Sequence, residues 1–174
     1  MKKRAKSIII KAGKRGTKHY TVAWQEANGE ERRTKSCEPS RPMLEAYLSA
    51  MAAFIPWITT IPEKNIAWAE IAGAKFHYSP TTGMAYLSLK VAIGVKAGMS
   101  VDNCFGFTTP ELPVDLDHAN TDNPTSIAEK FTGMAKLLHD EILLYADGYR
   151  AQMSLFDKKK TAVENDEQAD YRAG

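Results

Sequence analysis

The segment from Met84 to Lys96 limits the fold most strongly, because apolar and polar residues alternate along it. Successive side chains of a β-strand point to opposite faces, so this alternation predicts a strand with one buried and one polar face. The polar face would carry Tyr86, Ser88 and Lys90. The apolar positions are Leu87, Leu89, Val91, Ile93 and Val95.

The first forty residues predict a meander of three strands. The strands are expected at about Lys6 to Lys11, Lys18 to Gln25 and Glu31 to Cys37. A Gly-bounded turn at residues 13–16 joins the first two, and Asn28-Gly29 is a strong hairpin signal because both residues tolerate positive φ. We therefore expect an antiparallel sheet at the N-terminal end.

Two helices are predicted from apolar residues at helical spacing. The first begins near Ser40, with Pro42 in its first turn, and ends or kinks at Pro56. The second opens at Asn123-Pro124 and extends to about Gln152. Between them we expect strands over Ile66 to Tyr78, Met84 to Lys96 and Asn103 to Thr108, followed by a loop from Thr109 to Asn123.

The element order is therefore βββα-βββα, an α+β fold in two layers in which each antiparallel meander is covered by a helix. Residues 1–151 are expected to form a single domain, with possible halves at 1–60 and 61–151. Residues 157–174 lack periodicity and almost lack large apolar side chains, which predicts a disordered tail.

Composition restricts the functional class. The 174 residues are 44% hydrophobic and 25% charged, and no apolar run approaches the ~20 residues of a membrane span. The N-terminal apolar run is too short for a signal peptide, so we expect a cytoplasmic protein. Two cysteines without a CxxC pattern indicate neither a disulfide framework nor a structural zinc site.

Positive charge is concentrated at the N-terminal end. Residues 1–41 contain 12 Lys/Arg against 4 Asp/Glu, whereas the remainder contains 11 against 17. Long cations and aromatic rings on a small sheet suit phosphate contacts and base stacking, so this meander is the candidate DNA surface. The candidate DNA-binding residues are Lys11, Lys14, Arg15, Lys18, Tyr20, Arg32, Arg33 and Lys35.

Three strands with a Gly-Lys-Arg-Gly turn and a following helix loosely resemble the arm-binding domain of tyrosine recombinases, which reads DNA with its sheet. The resemblance covers about the first fifty residues. The catalytic Arg/His/Tyr pattern of those enzymes is not apparent downstream, so recombinase activity is not implied. A solvated sheet face remains the alternative. A second polar face, with Lys75, His77, Tyr86, Ser88 and Lys90, is expected to be solvated exterior.

A short hydrophobic peptide, Gln152-Met153-Ser154-Leu155-Phe156, precedes the charged tail. It resembles the pentapeptide by which bacterial and phage DNA-processing proteins dock on the sliding clamp of replication. Four of its five positions match, and Met153 replaces the usual leucine. The resemblance implies that Gln152 is a polar anchor and that Leu155 and Phe156 fill an apolar cleft. Alternatively, these residues end the last helix and pack on the core.

Catalytic motifs are not identified. The Gly13–Lys18 turn lacks the spacing of a phosphate-binding loop, and no nucleophile elbow or dinucleotide fingerprint is present. The densest cluster of hard ligands is a loop that could hold a divalent metal, although acidic loops before a helix are usually turns and helix caps. These candidates are Asp115, Asp117, His118 and Asp122. The helical residues His139, Asp140 and Glu141 are expected to face solvent.

These observations predict a phage- or prophage-type accessory protein of DNA replication, recombination or repair. It would dock on the sliding clamp through residues 152–156 and contact DNA through the meander, without a cofactor. Two alternatives stay open: a small metal-dependent nuclease or nucleotide-modifying enzyme recruited by the same peptide, and a nucleic-acid-binding module without a clamp interaction.

Overall fold

A computed structural model describes residues 2–13, 17–61, 69–94 and 104–150. The fold is α+β. Within these residues the elements are β1 (Arg4–Ala12), β2 (Lys18–Gln25), β3 (Glu31–Ser36), α1 (Pro42–Met51), α2 (Ile55–Ile58), β4 (Ala69–Tyr78), β5 (Ala85–Gly94), β6 (Cys104–Thr108), β7 (Leu112–Val114) and α3 (Ile127–Ala146). A 3₁₀ turn, Ala52–Phe54, connects α1 to α2.

The strands form one sheet rather than two separate meanders. Its order is β3-β2-β1-β4-β5-β6, and β7 pairs with β5 beside β6. All of these pairings are antiparallel. The predicted βββα repeat is not found, because β7 lies within the segment expected to be a loop and β1 joins the two predicted halves through β4.

The seam between β1 and β4 is short. Ser7, Ile8 and Ile9 pair with Lys75, Ala74 and Gly73. Gly73 permits the close approach of the two backbones, because a Cβ added there would lie 2.6 Å from the carbonyl oxygen of Ile8.

Both long helices pack on the same face of the sheet, which we call the covered face. α1 packs against α3 and β4, and α3 packs against β1 and β2. Side chains from strands and helices form one core that includes Ile8, Val22, Phe76, Leu87, Leu89, Val91, Leu44, Leu48, Phe131, Leu138 and Ile142. Among the described helices, none is both long and apolar enough to cross a lipid bilayer.

The helix boundaries differ from those predicted. α1 has Arg41 rather than Ser40 at its N-cap, without a side-chain cap. α3 begins at Ile127, because Ser126 and Glu129 form a reciprocal capping box, and it ends at Ala146 instead of near residue 152. The spacing of the apolar residues in the sequence predicted the helix α3, but the capping box in its first turn determines the residue at which it begins.

The expectation of solvent exposure was wrong for His139 and Glu141, each of which is 8% exposed. The Nε2 atom of His139 accepts a hydrogen bond from the backbone N–H of Ala5 at 3.2 Å. Its proton therefore resides on Nδ1, which lies 3.0 Å from a carboxylate oxygen of Asp140. This imidazole satisfies a backbone donor of β1 beside the bulge between Ala5 and Ser7, which explains its burial.

Candidate nucleic-acid interface

The other face of the sheet, which we call the open face, carries none of the described helices. Residues directly opposite each other on paired strands point to the same side. Lys75 pairs with Ser7 and Ser88, and Lys90 pairs with Thr108. The register therefore brings polar side chains from β1, β4, β5 and β6 onto one continuous surface.

The meander contributes to the same surface. On β3, Arg33 and Lys35 lie opposite Ala23 and Thr21 of β2. On β1, Lys11 lies opposite His19. The open face therefore extends across both sequence halves, and its cations are Lys11, Arg33, Lys35, Lys75 and Lys90.

These five cations are exposed, and none has a carboxylate partner among the described residues. At the border of this face, Lys6 is paired with Glu31 at 3.3 Å. Positive charge that is not locally neutralised raises the surface potential and attracts anions. The open face can therefore contact a polyanion without first breaking ion pairs.

Two of the candidate cations from the meander lie elsewhere. Lys18 forms a 2.6 Å ion pair with Glu45 of α1, and Arg32 forms a 3.1 Å pair with Glu30. The hydrogen bond to Glu45 raises the pKa of Lys18. Because their charges are already balanced, Lys18 and Arg32 are weaker candidates than the cations of the open face.

Tyr20 does not present a stacking surface, because it points to the covered face and is 2% exposed. Its ring lies 5.2 Å from that of Tyr145, and its hydroxyl donates to Glu45. Burial, together with this hydrogen bond, raises the pKa of Tyr20. The alternation that placed Tyr20 beside Val22 and Trp24 already indicated a core position. Lys14 and Arg15 lie outside the described residues.

Lys75 and Lys90 were expected in solvated exterior, and both are exposed. The β1–β4 seam places their strands beside the basic meander in a single sheet. The alternation of β5 correctly predicted that Tyr86, Ser88 and Lys90 share one side. What the sequence could not reveal was which strand of the first half would pair with β4.

A depression of about 420 Å³ lies within the open face, next to a pair of aromatic rings. Its polar margin includes Ser7, Lys75, Ser88, Lys90 and Thr108. The rings belong to His77 and Tyr86, which lie directly opposite each other on β4 and β5 with centroids 6.2 Å apart. Nδ1 of His77 lies 3.3 Å from a carboxylate oxygen of Glu111. Positive charge, hydroxyl groups and aromatic faces thus adjoin at one place.

The acidic loop does not converge on a metal site. Asp115 accepts hydrogen bonds from the backbone N–H groups of Asp117 and His118, and its carboxylate lies 3.0 Å from Nδ1 of His118. These hydrogen bonds lower the pKa of Asp115, with the His118 backbone contributing most. Asp117 pairs with Lys2, and Asp122 accepts from Thr121. Within the described ranges, no group of three or more His, Cys, Asp or Glu side chains could hold a metal ion.

A second cleft, of about 400 Å³, lies between this loop and α3. Most of its ionisable side chains form ion pairs or hydrogen bonds within the protein. Lys136 pairs with Asp140, and His139 is committed to the β1 backbone. Burial acts against ionisation of Asp140, but hydrogen bonds from His139 and Lys136 hold its pKa below the usual value. These contacts stabilise the fold.

The peptide Gln152 to Phe156 lies outside the described residues, and so does the predicted tail. Comparisons with protein-family models, curated protein sequences and solved structures gave no match.

Proposed function

We propose that this chain is a phage- or prophage-type accessory protein of DNA replication, recombination or repair that holds DNA on the open face of its sheet. The observation that carries this proposal is the gathering of Lys11, Arg33, Lys35, Lys75 and Lys90 on one helix-free surface without carboxylate partners among the described residues.

The span of this surface suits an extended polyanion. From β3 to β5 the sheet crosses four inter-strand intervals, or about 19 Å at the usual ~4.8 Å spacing. At about 3.4 Å per nucleotide, this width corresponds to a segment of roughly five to six phosphates. Cations at both ends of that span, Lys35 and Lys90, support contact along a strand rather than capture of a single phosphate group.

Local pairing elsewhere also supports a separate role for the open face. Away from it, Lys3 forms an ion pair with Asp147, and Lys136 forms one with Asp140. Protein-docking surfaces usually carry exposed large apolar side chains, and the described exposed ones lie away from the open face. Among the described residues these are Met43, Trp57, Met84, Ile127 and Tyr149, and none lies on the open-face positions of the strands.

Docking on the sliding clamp is the second element of the proposal and depends on Gln152-Met153-Ser154-Leu155-Phe156. A peptide of this size binds with a Kd in the micromolar range, or about 8 kcal/mol. A second contact with DNA would raise retention through effective concentration.

The DNA element is tested by titrating fluorescein-labelled DNA with the wild-type protein and the double variant Lys75→Glu/Lys90→Glu at low salt. Loss of two phosphate contacts and the added repulsion should weaken binding by at least about tenfold, and should reduce the salt dependence of log Kd. Lys2→Glu/Lys130→Glu is the matched control, since it makes the same charge change away from the open face.

Equal weakening by both double variants would show that net charge alone attracts DNA and would overturn the proposed surface. Absence of DNA binding by the wild-type protein would have the same consequence. The clamp element is tested separately by measuring binding of the full chain to a purified bacterial sliding clamp. Leu155→Ala/Phe156→Ala should abolish this binding, whereas unchanged binding would exclude the peptide as the docking element.

A further inference from the structure

The aromatic pair on the open face differs from the aromatic residues of the core in that part of its surface remains accessible. His77 is exposed, with 54% of its side chain accessible, and Tyr86 is half-buried. The two rings are tilted by 36° to each other. Aromatic faces at a polar sheet surface offer stacking sites for bases, and such stacking is tolerant of base identity.

The strand register fixes which charges adjoin this pair. Lys75 lies opposite Ser88 on β4 and β5, so it is a diagonal neighbour of Tyr86 at roughly 7–8 Å. Lys90 follows two positions beyond Ser88 on the same side of β5. Glu111 precedes Leu112, which pairs with Leu87, and its carboxylate lies 3.3 Å from Nδ1 of His77. Lys75 and Lys90 attract a phosphate, whereas the carboxylate of Glu111 opposes one placed beside His77.

The depression beside the rings has room for a nucleotide. Its volume of about 420 Å³ falls within the ~300–1,000 Å³ range of small-ligand sites. The exposed residue Thr108 places a hydroxyl group at its margin, and hydroxyl groups donate to phosphate or base oxygens. Base, sugar and phosphate would therefore each meet a chemically suitable part of the site.

The shape of the surface favours a single strand over a duplex. Base edges in a duplex are reached through a major groove about 12 Å wide, which admits a helix or a two-stranded ribbon. A face that crosses from β3 to β5 is about 19 Å wide, from four ~4.8 Å intervals, and is too broad to enter it. In a duplex the base faces are also stacked on each other and inaccessible to Tyr86.

We propose that the open face selects single-stranded DNA, with one base stacked on Tyr86 beside His77 and adjacent phosphates bound by Lys75 and Lys90. This inference rests on the proposed DNA-binding function and deepens it by naming the strand state and the stacking residue. His77 completes the platform, and the carboxylate of Glu111 contacts its ring.

The test compares a fluorescein-labelled oligothymidine, a duplex of the same length, and a strand of that length in which abasic residues retain the phosphates. Wild-type protein should bind the oligothymidine most tightly. Tyr86→Leu should weaken that complex roughly fivefold to a hundredfold, the range given by ~1–3 kcal/mol per stacked base. The same variant should leave binding of the abasic strand unchanged, because no base is present to stack.

Two variants serve as controls. Tyr86→Phe retains the ring and should bind as the wild type does, and Tyr149→Leu removes an exposed tyrosine beyond α3. Thermal unfolding of each variant verifies that the fold is retained, and a second platform variant, His77→Gln, provides an independent measurement if Tyr86→Leu does not fold.

The outcomes separate this inference from the proposed function. If Tyr86→Leu and His77→Gln bind normally while Lys75→Glu/Lys90→Glu binds weakly, the stacking site is excluded but the basic surface stands. Preference for the duplex would also overturn the inference alone. If the wild-type protein binds none of the three probes, both the inference and the DNA-binding function fail.

Discussion

The two faces of the sheet contrast most directly within β5, where consecutive residues belong to different environments. Leu89 is 0% exposed and packs in the core, whereas Lys90 is exposed on the open face. The same alternation continues on β2 and β4. The covered face is thus devoted to packing, and the open face carries groups that packing does not require. This difference identifies the open face as the part of the sheet available for binding.

The two faces also differ in whether their charged side chains have partners. On the covered side, Lys18, Tyr20 and Glu45 form a hydrogen-bonded network between β2 and α1. On the open side, Lys75 and Lys90 have no carboxylate partner among the described residues. Surface ion pairs contribute only ~0–1 kcal/mol each, so leaving the open-face cations unpaired costs the fold little. It keeps their charges available to an external anion.

The largest contrast is expected from neighbouring truncations in β5. Leu89→Ala should lower the free energy of unfolding by about 2–5 kcal/mol, because it removes buried methyl groups and leaves a cavity. Lys90→Ala should change it by no more than about 0.5 kcal/mol. Urea denaturation of both variants measures the difference, and equal losses would mean that the open face is also packed.

Two histidines give a contrast of intermediate size. His139→Ala should cost about 1–3 kcal/mol, because the backbone N–H of Ala5 loses its buried acceptor. His77→Ala, on the open face, should cost no more than about 0.5 kcal/mol. Chemical denaturation near neutral pH measures the free energy of unfolding of both variants. Similar small effects would show that water replaces the imidazole at the β1 backbone.

The smallest effect concerns acid stability. Burial acts against ionisation of Glu45, but hydrogen bonds from Lys18 and Tyr20 lower its pKa in the folded protein. A lowered carboxyl pKa contributes stability above the unfolded-state value of ~4.3, and this contribution is lost as pH falls through the folded-state value. Because Glu45 is partly solvated, its contribution is at most about 1 kcal/mol.

Thermal unfolding measured from pH 6 down to pH 3 tests this linkage. Glu45→Gln should lower the Tm at pH 6 and lose less stability than the wild type on acidification. Glu30→Gln is the control. Glu30 pairs with Arg32 at an exposed hairpin and does not connect two elements of the fold. An identical pH profile for wild type and Glu45→Gln would remove the network from the account of acid stability.

Local features of the fold were largely predictable. The alternation at Leu87, Leu89 and Val91 identified β5 and its buried side, which the structure confirms. The Asn28-Gly29 hairpin was also correct, and Gly29 has a φ of 89°. These features depend on residues that are close in sequence, so the necessary information is contained in short segments.

Features that depend on competing partners were not predictable. β7 was missed because Pro110 and Pro113 suggested a loop, although a proline is tolerated at the edge of a sheet, where it has no N–H to pair. The burial of His139 was missed because its partner, the N–H of Ala5, lies 134 positions away in sequence. The candidate DNA residues were identified by charge and aromatic character, and only the strand register separated Arg33 from Arg32.

The three-residue pairing of β1 with β4 also has a kinetic consequence. It joins positions separated by up to 68 residues, from Ser7 to Lys75, whereas β1–β2 and β4–β5 are hairpin neighbours. Contacts between residues far apart in sequence require closure of a long loop, and this closure lowers the folding rate. Until that seam closes, β1 and β4 each present an unpaired edge that can recruit a strand from another copy of the chain. Completion of the open face and protection from aggregation therefore both depend on closure of this seam.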